Sequence, residues 1–189
     1  MNLEDIELYH NNLCNIENDS NYSNFQKIMI NFNEIYDFYS NKNVNIISEK
    51  IFVNRKIDEL VTNIFNEYNL QKLYSNLSLK NYNLSELDAI IDDDNIVKSN
   101  CQYHNNGENY KTSFLNSIKR IENNKKIEKQ DLLFILLFIN QIRNNVFHGI
   151  KPPRQILEDL KQNERLGLYC KIVFEVNKIC IDEFKRKGY

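Results

Sequence analysis

Residues that break helices are almost absent from this chain. Only four glycines and two prolines occur among 189 residues, and the two prolines, Pro152 and Pro153, are adjacent. So few breakers argue against a β-sandwich or barrel, which needs a turn about every ten residues. No GxGxxG, GxxxxGKS or GxxxxGKT run exists, so a glycine-rich phosphate loop is also excluded.

Apolar residues recur at helical spacing along most of the chain, and no alternating strand pattern competes with them. The sequence therefore predicts an all-α protein, with a loop at 101–110. The expected helices cover Leu3–Ile16, Phe25–Tyr36, Ile47–Phe65, Leu70–Leu79, Ser85 to about Lys98, Phe114–Ile121, Lys129–Phe147 and Asn163–Lys187.

The predicted helix at 129–147 differs from the others because Leu132–Ile139 is apolar on all sides. Such a helix is surrounded by other helices of the same chain or is covered on a second side by a partner chain. Gly149 stands where a glycine would end this helix, and the following prolines prevent its continuation.

Charge and cysteine usage restrict the class of protein. The formal net charge is −2 and the pI is about 6.0, which argues against a globally basic nucleic-acid binder but allows a local basic site. The longest apolar run is far shorter than the roughly 20 residues that cross a bilayer, and no signal peptide is recognisable. None of the four cysteines forms a CxxC pair. We therefore expect a cytoplasmic protein with reduced thiols and no membrane partner.

Arg143, Asn144 and His148 lie together at the predicted end of the apolar helix. Asn144 and His148 share a helix face, so the Asn144 amide can orient the imidazole by a hydrogen bond. Arg143 lies about 140° from His148 around the axis. It reaches the same pocket if the last turn loosens or if a second copy supplies half of the site.

These residue types suit the cleavage of RNA. A guanidinium binds a phosphate with two parallel hydrogen bonds and stabilises the negative charge that grows on it. An imidazole removes a proton from a ribose 2′-OH or protonates the leaving 5′ oxygen. On spacing alone, a helix-capping and salt-bridge cluster explains the same three residues.

The pattern Arg143-Asn144-x-x-x-His148, on the penultimate long helix, resembles the signature of the HEPN superfamily. That signature is an arginine, a polar residue and, a few residues later, a histidine. The string IRNNVFHG is similar to the form in several bacterial defence-associated members. The resemblance covers roughly 114–187, and it implies an HEPN-like antiparallel four-helix core at 106–189. Residues 1–105 then form an N-terminal helical extension, and the two parts are expected to make one compact body.

The resemblance implies a metal-independent endoribonuclease, used as a toxin or an anti-phage effector, that needs no cofactor. Arg143 and His148 would be catalytic, and Asn144 would orient His148 or contact phosphate. The site would be composite, formed across a homodimer, and the RNA would be cut to 2′,3′-cyclic phosphate ends. An antitoxin or a sensor protein is a possible further partner. The alternative is a catalytically silent HEPN-like module for dimerisation or for protein or RNA binding.

One departure from the family concerns regulation. A subgroup of HEPN toxins that is neutralised by AMPylation has a tyrosine two residues after the histidine, whereas this chain has Ile150. Regulation by tyrosine AMPylation is therefore not expected here.

Two basic residues just after the motif, Lys151 and Arg154, are predicted to hold backbone phosphates at the mouth of the cleft. Ordinary surface charge explains them equally well. Lys119 and Arg120 are weaker candidates of the same kind.

Other candidates for chemistry have simpler explanations. The pair Cys101 and His104 has the spacing of half a zinc site, but no second half is evident. The acidic run at 92–94 is more simply a solvated loop than a cation site. Cys170 and Cys180 are predicted to belong to the core. No metal site is therefore expected.

Overall fold

The computed structural model describes residues 2–13, 20–43, 53–77, 110–147 and 160–189. Within these ranges all regular structure is helical, which confirms the all-α prediction. The helices are α1 (Leu3–Leu13), α2 (Asn21–Asn43), α3 (Val53–Ile64), α4 (Glu67–Leu77), α5 (Tyr110–Asn124), α6 (Lys129–Phe147) and α7 (Leu160–Lys187). The helix predicted at 85–98 and most of the predicted loop at 101–110 lie outside the described residues.

Asparagine and serine side chains begin several of the helices. In each case a side-chain oxygen accepts a hydrogen bond from the backbone N–H three residues later, which satisfies one of the donors that a helix start leaves open. These bonds join Asn2 to Asp5 at 2.8 Å, Ser20 to Ser23 at 3.3 Å and Asn66 to Asn69 at 2.9 Å.

Helix α7 ends through Gly188, which has a positive φ of 72° that favours glycine. The Gly188 N–H donates to the Lys185 carbonyl at 3.0 Å, and the Tyr189 N–H donates to the Phe184 carbonyl at 3.1 Å. The ring of Tyr189 packs edge-on against Phe184, with the centroids 5.8 Å apart. This Schellman arrangement satisfies carbonyls that the helix end would leave open.

Helix α2 has a central position in the fold. It packs most extensively on α7 and also contacts α1, α3 and α6. The hydrophobic core is continuous and includes side chains from all the described helices, on both sides of the predicted boundary at residue 105. The boundary itself lies outside the described residues.

The apolar helix α6 is covered by other helices of the same chain, which was one of the two alternatives for it. It contacts α5, α3 and α2, and all of Leu132–Ile139 except the half-buried Leu133 is buried. The fully buried ring of Tyr169, on α7, lies 6.1 Å from Phe138 and 6.2 Å from Phe114. None of the described helices is long and apolar enough to cross a lipid bilayer.

A polar cluster is buried where α1, α2 and α7 meet. The Asn31 side-chain oxygen lies 3.2 Å from His10 Nδ1 and accepts from Asn177 Nδ2 at 3.1 Å. The Asn31 amide nitrogen donates to the Ile6 carbonyl at 3.2 Å. The His10 ring stacks on Phe174, with the centroids 4.3 Å apart. These bonds tie three helices together inside the core.

Candidate functional site

The candidate site lies at the C-terminal end of α6, where the helix changes from apolar to polar. Ile142 is still buried, whereas Arg143 and Asn144 are half-buried. The helix continues without interruption to Phe147, so the turn after Arg143 does not loosen within the described residues. Arg143 and Asn144 therefore stand at an edge of the core rather than inside it.

Asn144 contacts Arg143 directly. Arg143 Nη1 donates a hydrogen bond to Asn144 Oδ1 at 2.9 Å. The sequence predicted that the Asn144 amide serves His148 or phosphate. The described bond assigns its oxygen to the guanidinium, which limits the rotation of both side chains. His148 lies outside the described residues.

The second partner of the guanidinium comes from α2. With the Asn33 amide turned so that its oxygen faces Arg143, Oδ1 accepts from Arg143 Nη2 at 2.5 Å. In the same orientation Asn33 Nδ2 donates to the Met29 carbonyl at 3.2 Å and to Tyr36 Oη at 2.8 Å. The opposite orientation keeps a bond from the Tyr36 hydroxyl to Asn33 but sets the amide NH₂ against the guanidinium donors. The hydrogen-bonding chemistry therefore selects the first orientation.

Tyr36 supports this arrangement from inside the core. Its side chain is almost fully buried, and burial raises the pKa of its hydroxyl to about 12. The nearby Asp37 carboxylate acts in the same direction, and the positive charge of Arg143 opposes them. The hydroxyl is therefore protonated at neutral pH and offers both a donor and an acceptor.

The resulting cluster consists of Arg143, Asn144, Asn33 and Tyr36, and we call it the arginine clamp. Two neutral amide oxygens, one from α6 and one from α2, hold the two terminal nitrogens of the guanidinium. These bonds restrict the guanidinium without neutralising it, because an amide carries no charge. Such a guanidinium is suited to bind a phosphate.

Of the five predicted site residues, the structure places Arg143 and Asn144 in contact. His148, Lys151 and Arg154 lie outside the described residues, as do the Cys101–His104 pair and the acidic run at 92–94. Within the described ranges, no group of three or more histidine, cysteine, aspartate or glutamate side chains could hold a metal ion.

Arg120 has a structural role at the start of α6. Its Nη2 lies 2.7 Å from Asp131 Oδ1, and the same nitrogen donates to Ser117 Oγ at 3.0 Å. Asp131 is buried near the start of α6, and its second oxygen accepts from the Glu128 backbone N–H at 3.2 Å. Arg120 therefore compensates a buried carboxylate that caps α6. Lys119 is exposed.

The two cysteines near the end of the chain are buried, as predicted. Both carry free thiols, and burial raises the pKa of Cys170 to about 12 and that of Cys180 even further. Neither thiol is therefore activated as a nucleophile.

A groove with a volume of about 600 Å³ lies between α4 and the turn that joins α5 to α6. The side chains of two of its three lysines have partners within the chain. Lys126 lies 2.7 Å from Glu128, and Lys129 donates to the Thr62 carbonyl at 2.7 Å. The groove does not include the arginine clamp, and the clamp has the clearer chemistry.

Sequence reasoning did not identify Asn33 as part of the site and placed Tyr36 only in the core. Asparagine accounts for 32 of the 189 residues, so one more asparagine on α2 carries no signal of its own. The buried cluster around Asn31 was missed for the same reason.

Comparison of the chain with protein-family models, with curated protein sequences and with solved structures yields no significant match. A function must therefore be argued from the residues and their geometry.

Proposed function

We propose that this protein is a metal-independent endoribonuclease of the HEPN type. The observation that carries the proposal is the Arg143 guanidinium, held by two neutral amide oxygens at the end of α6, five positions before His148 in the sequence. A cation held in one place at the edge of a core suits the recognition of a scissile phosphate.

In the proposed reaction Arg143 binds the non-bridging phosphate oxygens and stabilises their growing charge. His148 takes the proton of the ribose 2′-OH as a general base. The 2′ oxygen forms a bond to phosphorus, the bond to the 5′ oxygen breaks, and that oxygen accepts a proton. The products carry a 2′,3′-cyclic phosphate and a 5′-hydroxyl. The attacking group is part of the RNA, so the reaction requires no metal-activated water and no cofactor.

The resemblance adds a homodimer in which two copies of the motif face one composite cleft. In that arrangement the protonated His148 of the second protomer would donate the proton that the leaving 5′ oxygen accepts. Lys151 and Arg154 would hold flanking phosphates, which supplies the local positive charge that the net charge of −2 does not. The role inferred from the same resemblance is that of a cytoplasmic toxin or anti-phage effector, with an antitoxin or sensor as partner.

The experiment is RNA cleavage in the presence of EDTA by the wild type, Arg143→Ala and His148→Ala. We expect both variants to lose at least about 100-fold in rate, because each removes a group used in the transition state. Arg55→Ala is the matched control. Arg55 is an exposed arginine on α3 that pairs only weakly, at 3.1 Å, with Glu59 of the same helix. Cleavage by both site variants at the wild-type rate contradicts the proposal.

The chemistry of the cut gives a second test. Once a cleavage position is mapped, an RNA with a single 2′-deoxy nucleotide at that position is expected to remain uncut there. Mass spectrometry of the normal product should show a 3′ end that lacks one water relative to a linear phosphate. A product with a linear phosphate formed directly from the 2′-deoxy substrate excludes attack by the 2′-OH.

The alternative function, a catalytically silent module that binds protein or RNA, predicts a different outcome. RNA would be bound but not cut by the wild type, and expression in cells would not arrest growth. Light scattering of the same preparation tests the dimer that the composite cleft requires.

A further inference from the structure

We propose that Asn33 is a positioning residue for Arg143, so that helix α2 supplies part of the candidate active site. This inference rests on the proposed function for its catalytic consequence. Its structural part, the restraint of the guanidinium by Asn33, stands on the geometry of α2 and α6 alone.

The first argument is that Asn33 binds Arg143 from a different helix than Asn144 does. Asn144 engages Nη1 of Arg143 from within α6, whereas Asn33 engages Nη2 from the neighbouring helix. One bond leaves a flexible arginine free to rotate about its last torsions. Two bonds on different nitrogens, from two helices, define the plane of the guanidinium.

The second argument is that Asn33 is itself restrained. Its amide nitrogen donates to the Met29 carbonyl on its own helix and to the buried hydroxyl of Tyr36. The oxygen is therefore directed at Arg143 by two bonds on the other side of the amide. A binding residue such as Arg143 is placed precisely only if the group that holds it is itself oriented by its neighbours.

The third argument concerns the division of the chain. The resemblance to the HEPN superfamily is confined to roughly 114–187, and α2 lies outside it. If α2 orients Arg143, the N-terminal part is a component of the site in addition to covering the core. The two parts meet at several helix pairs, and the contact between α2 and α6 is the one that reaches Arg143.

The test uses three substitutions of Asn33 in the full chain. Asn33→Leu has a similar volume but has no acceptor, Asn33→Ala removes both volume and acceptor, and Asn33→Asp restores an acceptor toward the guanidinium. We expect Asn33→Leu and Asn33→Ala to lower kcat by about 10- to 100-fold, with KM changed by less than about threefold. Asn33→Asp keeps an acceptor for Arg143 Nη2 but adds a negative charge that neutralises the guanidinium, so it is expected to preserve the restraint of Arg143 without restoring full activity.

A control variant and a graded variant separate positioning from general damage. Asn76→Leu removes an exposed interhelical asparagine bond, to Glu175 at 2.7 Å, and should leave kcat unchanged. Tyr36→Phe removes one of the two bonds that orient the Asn33 amide, so kcat is expected to fall, but by less than in Asn33→Leu. Thermal unfolding of every variant reports whether activity follows stability instead of the acceptor. If Asn33→Leu does not fold, Asn33→Ala carries the same comparison with Asn33→Asp.

Arginine-selective ¹⁵N–¹H NMR gives a readout that does not depend on catalysis. Separate Nη signals are expected for Arg143 in the wild type, because hydrogen bonds at both terminal nitrogens slow rotation, and merged signals are expected in Asn33→Leu. Unchanged Arg143 signals in Asn33→Leu overturn the inference. So does a wild-type kcat in Asn33→Leu when Arg143→Ala is inactive. If the wild type cuts no RNA but the NMR difference appears, only the proposed function fails.

Discussion

Asn31 and Asn33 lie two positions apart on α2, and their surroundings are opposite. Two residues of a helix are separated by roughly 200° around its axis. Asn31 therefore faces α1 and α7, where it is fully buried, and Asn33 faces the end of α6, where it is half-buried. Both use a side-chain oxygen as an acceptor and an amide nitrogen as a donor to a backbone carbonyl.

This difference in burial indicates which property of the protein each asparagine controls. Asn31 is fully buried, so its loss leaves three buried polar groups without the bonds they make to it. Asn33 is half-buried, so a lost bond to the Arg143 guanidinium costs less there. The first is expected to determine stability, and the second to determine the orientation of a functional group.

The largest expected effect is the loss of stability in Asn31→Leu. His10 Nδ1, Asn177 Nδ2 and the Ile6 carbonyl lose their bonds to Asn31 inside the core. We expect the free energy of unfolding to fall by about 3 kcal/mol or more. Urea unfolding measures it. A loss no larger than that in Asn33→Leu would remove the distinction between the two positions.

The second effect is a pH dependence of the free energy of unfolding. It arises from the buried cluster around Asn31 and is not expected from the arginine clamp. Burial lowers the pKa of His10 below its usual 6.5, and the positive charge of Lys178 acts in the same direction. The hydrogen bond to Asn31 and the charges of Glu175 and Asp182 oppose this shift but do not reverse it. The unfolded chain therefore binds a proton more readily than the folded chain. The stability that His10 contributes is present above about pH 6.5 and is lost as the pH falls.

The measurement for this prediction is urea unfolding between about pH 7 and pH 5. The wild type should lose stability relative to His10→Phe, which keeps the ring stacked on Phe174 but cannot titrate. Burial raises the pKa of Glu34, which acts in the opposite direction, but it is present in both proteins and cancels in the difference. Parallel pH curves would contradict the prediction. Asn33→Leu should show the wild-type pH dependence.

The third effect is smaller than the first. Asn33→Leu is expected to lower the free energy of unfolding by about 1 to 2 kcal/mol, because the contact with Arg143 is half-buried but the buried Tyr36 hydroxyl loses a partner. The same variant is expected to lose most of its catalytic rate. A loss of about 3 kcal/mol in urea unfolding would place Asn33 in the same class as Asn31.

The smallest effect concerns a third asparagine of α2, at its N-terminal end. A Cβ added to Gly167 of α7 would lie 3.1 Å from Asn21 Nδ2, at the end of a flexible side chain. Replacing a glycine within a helix by alanine gains roughly 1 kcal/mol in helix propensity, which offsets the shift of Asn21. We expect Gly167→Ala to change the free energy of unfolding by less than about 0.5 kcal/mol. Thermal unfolding that shows a loss above about 1.5 kcal/mol would mean that the helices cannot adjust there.

The elements of the fold were largely predictable from the sequence. The predicted bounds of α6, 129–147, agree with the structure, and α7 begins three residues earlier than predicted. The helical period places Val173, Val176, Ile179, Cys180 and Phe184 on one face of α7, and all five are buried. Helical periodicity depends on neighbours within one or two turns, so it is encoded locally.

The candidate site was predictable only in part. Arg143 and Asn144 were identified because they are adjacent and end an apolar helix. The role of Asn33 depends on how α2 docks against α6 and on the depth of that contact. No local pattern distinguishes Asn33 from Asn31, because both are asparagines within the same helix.

The sequence by itself therefore determined that the described regular structure is helical, the bounds of α6 and the position of Arg143 near the end of α6. Only the tertiary structure decided which asparagine of α2 holds that arginine and which ties the core together. The physical reason is that burial of apolar residues follows the period of a single helix, whereas an interhelical hydrogen bond requires two helices to meet at a particular angle and distance.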